Sequence, residues 1–419
     1  MYLPYRPVAL VTMLCLSLAP AAHADVVTDW NARTMLCVGG NPVAMPPIPP
    51  GRGGPTGLLD IALAQAAAHD AVQAIQGRFE AYHYQNPDRL GLGSPDAAVA
   101  AAVYGVLVGL YGAGHACLTG VPDPAVTYAG DPGLIAGNEA AQAMLPLYRP
   151  AFLTELDPFT GGTEPGQWRP TDGTVAGANI YVGRTKPFTL RDPRQFRPEP
   201  APPLKSQHYW RDYDEVKRMG SLMNSDRTAE QTDLARFWGN FPGQWYGALR
   251  GIADAHLHDV GDSARLFALA ALAAADSQIT VYETKYQYNF WRPETAIRLG
   301  DSDGNPRTVG DPDWKPFLQT PPYPDHSSGA NNVGGVFTTI LELFFGTDQF
   351  EFSVSSTATG LMTNPRQYHR FSQAADEIVD VRVWQGIHWR FADEDGREQG
   401  TRVGHWVFQK FLRPVPGTH

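Results

Sequence analysis

A chain of 419 residues, 43% hydrophobic and only 18% charged, can bury a large core, as one big domain or two. Its formal net charge of −10 argues against nucleic-acid binding, which needs concentrated Lys and Arg. The 10 Trp, 17 Tyr and 19 Phe point instead to an aromatic-rich core with pockets, in a globular and not a disordered chain.

The first residues read as an address. Arg6 precedes an apolar run from Val8 to Ala19, and Ala22-His23-Ala24 supplies a small-x-small cleavage signature before Asp25, so residues 1–24 are expected to be a secretory signal peptide. The expected location of the mature protein is periplasmic or secreted. The leader's apolar run falls short of the ~20 residues a membrane-spanning helix needs, and no later segment reads as a membrane span. In an oxidising compartment Cys37 and Cys117 can pair as a disulfide; two small hydrophobes buried separately explain them equally well.

From Asp25 to Thr154 the chain reads as an N-terminal helical half. After a Pro/Gly-rich lead-in, residues 58–75 place Leu59, Ala62, Leu63, Ala66, Ala67 and Val72 at helical spacing. Asp70 inside that stretch is expected to serve structure, as a cap or ion-pair partner. Further helices are predicted over residues 96–110 and 134–147. Residues 155–204 then carry Pro and Gly too densely for a long regular element, but hold enough Trp, Phe and Tyr to be an ordered connection wrapping the body. Residues 205–419 return to helices. One is predicted over 212–222, and Thr228-Ala-Glu-Gln231 reads as a capping box opening the next. Helices over 245–257 and 263–286 follow. His256 and His258, two residues apart, face opposite sides of a helix and are not expected to share a metal. Asp301-Ser-Asp303-Gly-Asn305 has Pro306 where a calcium loop needs Gly, and reads as a surface turn.

Three stretches carry chemistry. In Lys285-Tyr-Gln-Tyr-Asn-Phe-Trp-Arg292-Pro293, seven residues of helix bring Arg292 to within about 20° of Lys285, so both cations can reach one anion. Pro293 cannot extend that helix but starts another well, which places Arg292 at a break. In Pro321-Pro-Tyr-Pro-Asp-His-Ser-Ser-Gly-Ala330, Ser328 and Gly329 open a helix that Gly346 ends. Unsatisfied N–H groups at such a start favour an oxyanion. In Arg382-Val-Trp-Gln-Gly-Ile-His388, an unbroken helix would leave Arg382 and His388 about 120° apart. Gly386 permits the bend that lets them converge.

Taken together, these stretches resemble the vanadium-dependent haloperoxidases and the related type 2 phosphatidic acid phosphatases. The shared site is Lys-x6-Arg-Pro, then Pro-Ser-Gly-His, then Ser-Arg-x5-His-x3-Asp; the neighbouring wording is closer to the bacterial haloperoxidases. Lys285, Arg292, Pro293, Ser328, Gly329, Arg382 and His388 match. The resemblance implies an all-α fold of two packed helical bundles with the site inside the second. It implies vanadate bound through His388, the vanadium ligand, and neutralised by Lys285, Arg292, Arg382 and the Ser328-Gly329 backbone. Hydrogen peroxide and a halide or small organic molecule would be the reactants, and a homo-oligomer stays open. With phosphate in the same site, His388 would be the nucleophile of an acid phosphatase. The departures concern the proton machinery: Ala330 replaces the acid–base His, Val381 the Ser, and Ala392 the Asp, with Asp393 one place late. His326, four residues before Ala330, is the candidate replacement acid. Without one, the protein would be a silent oxyanion-binding homologue.

Protein purified from its native host is predicted to begin at Asp25 by N-terminal sequencing; an intact Met1 in the cytosolic fraction would contradict the signal-peptide reading.

Overall fold

The computed structural model describes residues 25–41, 47–48, 52–147, 159–171, 177–239 and 241–417; the expected signal peptide lies outside them. The helices start where the chain supplies caps. The Asp25 carboxylate accepts from the N–H groups of Val27 and Thr28 to open α1 (Val26–Gly39). Pro55 sits in the first turn of α2 (Gly54–Gln76), and Ser94 caps α3 (Pro95–Tyr111), which has Pro95 at its first position. A short α4 (Pro124–Thr127) leads to α5 (Gly133–Met144). These elements form the first helical bundle, in which α3 and α5 pack on α2. The Cys37–Cys117 disulfide is formed, across a sequence separation of 80. It ties the last turn of α1 to the segment that follows α3.

The second bundle follows α6 (Gln207–Met219), α7 (Ala229–Phe237) and α8 (Phe241–His256). Thr228 and Gln231 make both bonds of the expected capping box on α7. The long α9 (Val260–Tyr288) ends at Asn289, whose φ of 49° reverses the chain, and α10 (Pro293–Arg298) begins at Pro293 as the ring dictates. Then come α11 (Gly329–Phe345), α12 (Phe371–Trp384) and α13 (Arg390–Lys410). An antiparallel hairpin of β1 (Gln349–Val354) and β2 (Arg366–Arg370) joins α11 to α12. The hairpin was not among the expected elements, although β1 alternates polar and apolar residues. The fold is all-α apart from this hairpin, with two helical bundles packed together along α2 and α9.

Two features position the site. Gly396, Gly400 and Gly404 lie one turn apart on α13, and a Cβ at the first two would stand 2.4 Å from Ser328 O and 1.9 Å from Asn332 O. Bare backbone there lets α13 lie directly on the start of α11. The Pro/Gly-rich residues before α6 bind α9 and its break through main-chain bonds. Trp168 N–H donates to Asn289 O at 2.8 Å, Trp291 N–H to Gly166 O at 2.9 Å, and Ala178 N–H to Pro322 O at 2.9 Å. Midway along α9, the buried Asp276 carboxylate accepts from the N–H groups of Phe188, Thr189 and Leu190 at 2.6–3.1 Å. Asp70 serves structure in the same way, accepting from the N–H groups of Tyr82, His83 and Tyr84.

One expectation is corrected. By length and hydropathy α9 could cross a membrane, contrary to the sequence reading, but its apolar surface is almost wholly buried against other helices.

Loop-closure entropy assigns a cross-link over this separation about 4–5 kcal/mol. Reduction, or the double variant Cys37→Ser with Cys117→Ser, is therefore expected to lower the unfolding temperature by several degrees in calorimetry; an unchanged transition would show that the bridge stabilises nothing.

Candidate functional site

Chain breaks build the site. Lys285 lies in the last turn of α9, Arg292 is the N-cap of α10, and Gly329 opens α11. Arg382 sits near the end of α12, with His388 two residues before α13. Gly386 makes the last convergence possible. It adopts φ = 76°, and a Cβ there would stand 2.3 Å from the carbonyl oxygen of Gly220. The chain turns between Arg382 and His388, and both line one cavity with Lys285, Gly329 and Ala330.

Lys285 is buried and held by carbonyls. Its Nζ donates to Asp325 O at 2.7 Å, Ser327 O at 2.6 Å and Pro324 O at 3.3 Å. Burial holds its pKa well below the ordinary lysine value, with Arg292 and Arg382 adding to the fall. Arg292 is fully buried; its Nε donates to Tyr323 O at 2.9 Å, and its Nη1 to Asp325 Oδ1 at 3.1 Å and Ile387 O at 2.6 Å. Those two bonds use both Nη1 protons. Its contacts of 3.3 and 3.2 Å with His388 Nδ1 and Nε2 are near equal, so the guanidinium packs over the ring and does not hydrogen-bond either nitrogen in the ring plane. Arg292 Nη2 is buried without a hydrogen-bond partner. The Tyr323 ring covers both cations, at 5.3 Å from Lys285 Nζ and 5.0 Å from the Arg292 guanidinium carbon.

His388 Nδ1 lies 2.7 Å from Asp325 Oδ1. A carboxylate can only accept, so Nδ1 carries the proton and the Nε2 lone pair is left over. Burial first, then Arg292, Arg382 and Lys285, hold the His388 pKa well below its ordinary value, which keeps a second proton off the ring. Asp325 is fully buried, and burial outweighs its cationic neighbours to raise its pKa to about 6; it is ionised at neutral pH. One carboxylate faces three cations. The excess positive charge, an unpaired Arg292 Nη2, a neutral imidazole nitrogen and a helix start without a side-chain cap are features that would suit an oxyanion.

The fold brings Lys285, Arg382, His388 and Gly329 into one cavity lining; Arg292 is not part of that lining and reaches the group through its contact with His388. Two expected residues are placed differently. Ser328 does not line the cavity, and its N–H donates to Ala392 O at 2.8 Å, because α13 lies directly against it. The open donors of the helix start belong instead to Gly329 and Ala330. His326 also lies outside the cavity lining. Its Nε2 is 3.0 Å from Glu199 O, its ring sits between Tyr288 and Phe391, and burial lowers its pKa to about 4. It is neutral near pH 7 and engaged elsewhere. Asp393, one place late in the motif, accepts from Asn331 Nδ2 at 2.8 Å. The residue that sequence reasoning missed is Asp325. Its signal was slight: a lone acid inside the Pro-rich stretch leading to α11.

The class is thus an all-α, two-bundle protein with a buried cluster of Lys285, Arg292, Arg382 and His388. Residues 265–417 match the sequence model of the VCPO second helical-bundle domain. The chain is 29% identical over 174 residues to the vanadium chloroperoxidase of Curvularia inaequalis, a match covering 31% of this chain and 28% of that enzyme. Among solved structures it is similar to the first bacterial vanadium-dependent iodoperoxidase, with TM-score 0.72, 24% identity, and coverage of 93% of this chain and 96% of that one. A holo-type bacterial vanadium-dependent chloroperoxidase gives TM-score 0.67 at 17% identity, covering 85% of this chain and 91% of that one. Residues 265–417 thus carry the VCPO second helical-bundle domain, and the fold of the whole chain is that of the bacterial vanadium-dependent haloperoxidases.

Gly386→Ala forces an L side chain into a left-handed conformation, at roughly 1–2 kcal/mol, and into the Gly220 carbonyl. It is expected to lower the melting temperature and weaken orthophosphate binding in calorimetry. A variant matching wild type in both would show that the bend does not align Arg382 with His388.

Proposed function

We propose that the protein is an exported vanadium-dependent haloperoxidase that binds vanadate in this cradle and oxidises a halide with hydrogen peroxide. The observation that carries the reading is the state of His388: its Nδ1 is held by Asp325, its ring is kept neutral, and it lines the same cavity as Lys285 and Arg382. The donor set fits the group. His388 Nε2 would be the vanadium ligand. Lys285, Arg292 and Arg382, with the N–H groups of Gly329 and Ala330, would neutralise the oxygens. Inorganic phosphate fits the same donors and would compete. Bound vanadate supplies a Lewis-acid centre that activates peroxide towards the halide.

The net reaction, H2O2 + X− + H+ → HOX + H2O, consumes a proton. No imidazole stands at Ala330 to deliver it, and His326 is neutral and held on a carbonyl. A positioned acid is worth roughly 10²–10⁴-fold in rate, so turnover should be slow for such a well-formed cradle. The Cys37–Cys117 disulfide and the leader-like N-terminus support export to an oxidising compartment. The test of the function is peroxide-dependent halide oxidation with and without added orthovanadate. Activity that appears only with orthovanadate supports the reading; orthovanadate binding without oxidation of any halide would leave a silent oxyanion-binding homologue.

Two variants examine the parts. Asp325→Asn keeps the volume but removes the charge orienting His388 and Arg292, and is expected to cost about 10–100-fold in orthovanadate affinity; unchanged affinity by calorimetric titration would remove Asp325 from the account. Ala330→His restores an acid beside the helix start and should raise kcat more than it tightens orthovanadate binding, the signature of a group acting in the transition state. No gain in kcat would mean that proton delivery does not limit the rate.

A further inference from the structure

The cationic residues make up only part of the lining of their cavity. The enclosed volume is about 550 Å³, within the range of roughly 300–1,000 Å³ typical of organic-ligand sites. At ~30 Å³ per water it would hold close to twenty waters, and a five-atom oxyanion displaces only a few of them. The first bundle contributes an apolar part of the lining, Met35, Leu36 and Val38 on α1 and Leu58 and Ile61 on α2, while Arg250 and Gln278 add polar groups from the second. Tyr282 and Tyr323 also line the cavity, with ring centroids 5.3 Å apart in an edge-to-face pair. Iodide, peroxide and an oxyanion are all small and polar. None of them accounts for an aliphatic wall of this extent.

Resting on the haloperoxidase reading, we propose that this vestibule is a binding site for the organic halogen acceptor, an electron-rich aromatic of about naphthol size. Its ring packs against Tyr282, Tyr323 and the α1 wall while halogen is delivered from the cradle. The aromatic pair offers ring edges and faces for stacking, and the aliphatic side chains offer burial without a competing hydrogen bond. Oxidation follows I− + H2O2 + H+ → HOI + H2O. Halogenation follows ArH + HOI → ArI + H2O, in which the C–I bond forms, the C–H and O–I bonds break, and the displaced proton leaves with the hydroxide as water. Confinement makes the second step a reaction within the cavity instead of one with hypohalous acid diffusing in solution.

The test uses the orthovanadate-loaded full-length protein, with 1-naphthol as the organic probe and triiodide formation, HOI + 2I− + H+ → I3− + H2O, as a readout that needs no organic acceptor. Leu36→Trp fills the vestibule from α1, and Leu36→Ala enlarges it. The expected result is saturable 1-naphthol binding by wild type, weakened at least about tenfold in Leu36→Trp, with a matching fall in the ratio of naphthol iodination to triiodide formation and a partial or full retention of both in Leu36→Ala. An unchanged ratio in Leu36→Trp, or no saturable binding to wild type, would overturn the proposal and assign halogenation to released hypohalous acid. A wild type that forms no triiodide refutes the haloperoxidase reading alone, because 1-naphthol binding and its loss in Leu36→Trp still judge the vestibule.

Discussion

Asp325 is the carboxylate on which the site depends. Three cations drawn from α9, the α9–α10 break and α12 repel one another in a buried volume, where burial also holds the Lys285 pKa well below its ordinary value. A single ionised group meets this by binding Arg292 through Nη1 and His388 through Nδ1 with the same oxygen. The backbone of its stretch completes the arrangement, since the carbonyls of Pro324, Asp325 and Ser327 hold Lys285 Nζ. The residual positive charge is then available to an anion and the imidazole presents one lone pair. Removing one partner of such a buried network leaves an uncompensated charge, so the cradle stands or falls as a unit.

The packing explains why these groups sit where they do. Tyr209, Tyr213, Trp291, Trp314 and Trp389 form a separate aromatic cluster behind the α9–α10 break and the start of α13. Trp389 Nε1 donates to Trp291 O at 3.0 Å, which ties the loop carrying His388 to the one carrying Arg292. On the other side the glycine stripe of α13 brings that helix onto Ser328. The close approach has a functional consequence: it occupies the Ser328 N–H and leaves the open end of α11 to Gly329 and Ala330.

Much of this was legible in the sequence, and the reasons differ by residue. Pro293, Gly346 and Gly386 announce breaks because their backbones restrict or permit conformations that few other residues share, so the positions of Arg292 and His388 followed from local rules. The capping box at Thr228 and the helical spacing of α2 and α9 were readable for the same reason. What local rules cannot supply is the partner of a buried polar group. Asp325 and His388 are 63 positions apart, and only the assembled fold decides that they meet. The side to which His326 points and the occupant of the Ser328 N–H are likewise set by α13 and by Glu199, both distant in the chain. The hairpin β1–β2 escaped notice although β1 alternates Phe350, Phe352 and Val354 with Gln349, Glu351 and Ser353; β2 carries one buried residue, Tyr368, and gives no second alternating run to pair with it.

On the proposed reading, His388 offers Nε2 to an oxyanion while Asp325 holds Nδ1. Anomalous diffraction from a crystal equilibrated with orthovanadate tests this most directly. One strong vanadium peak is expected at bonding distance from His388 Nε2, with Nδ1 still on Asp325 and the oxygens facing Lys285, Arg292 and Arg382. A vanadium peak elsewhere in the cavity, or a His388 ring turned so that Nε2 faces Asp325, would contradict it.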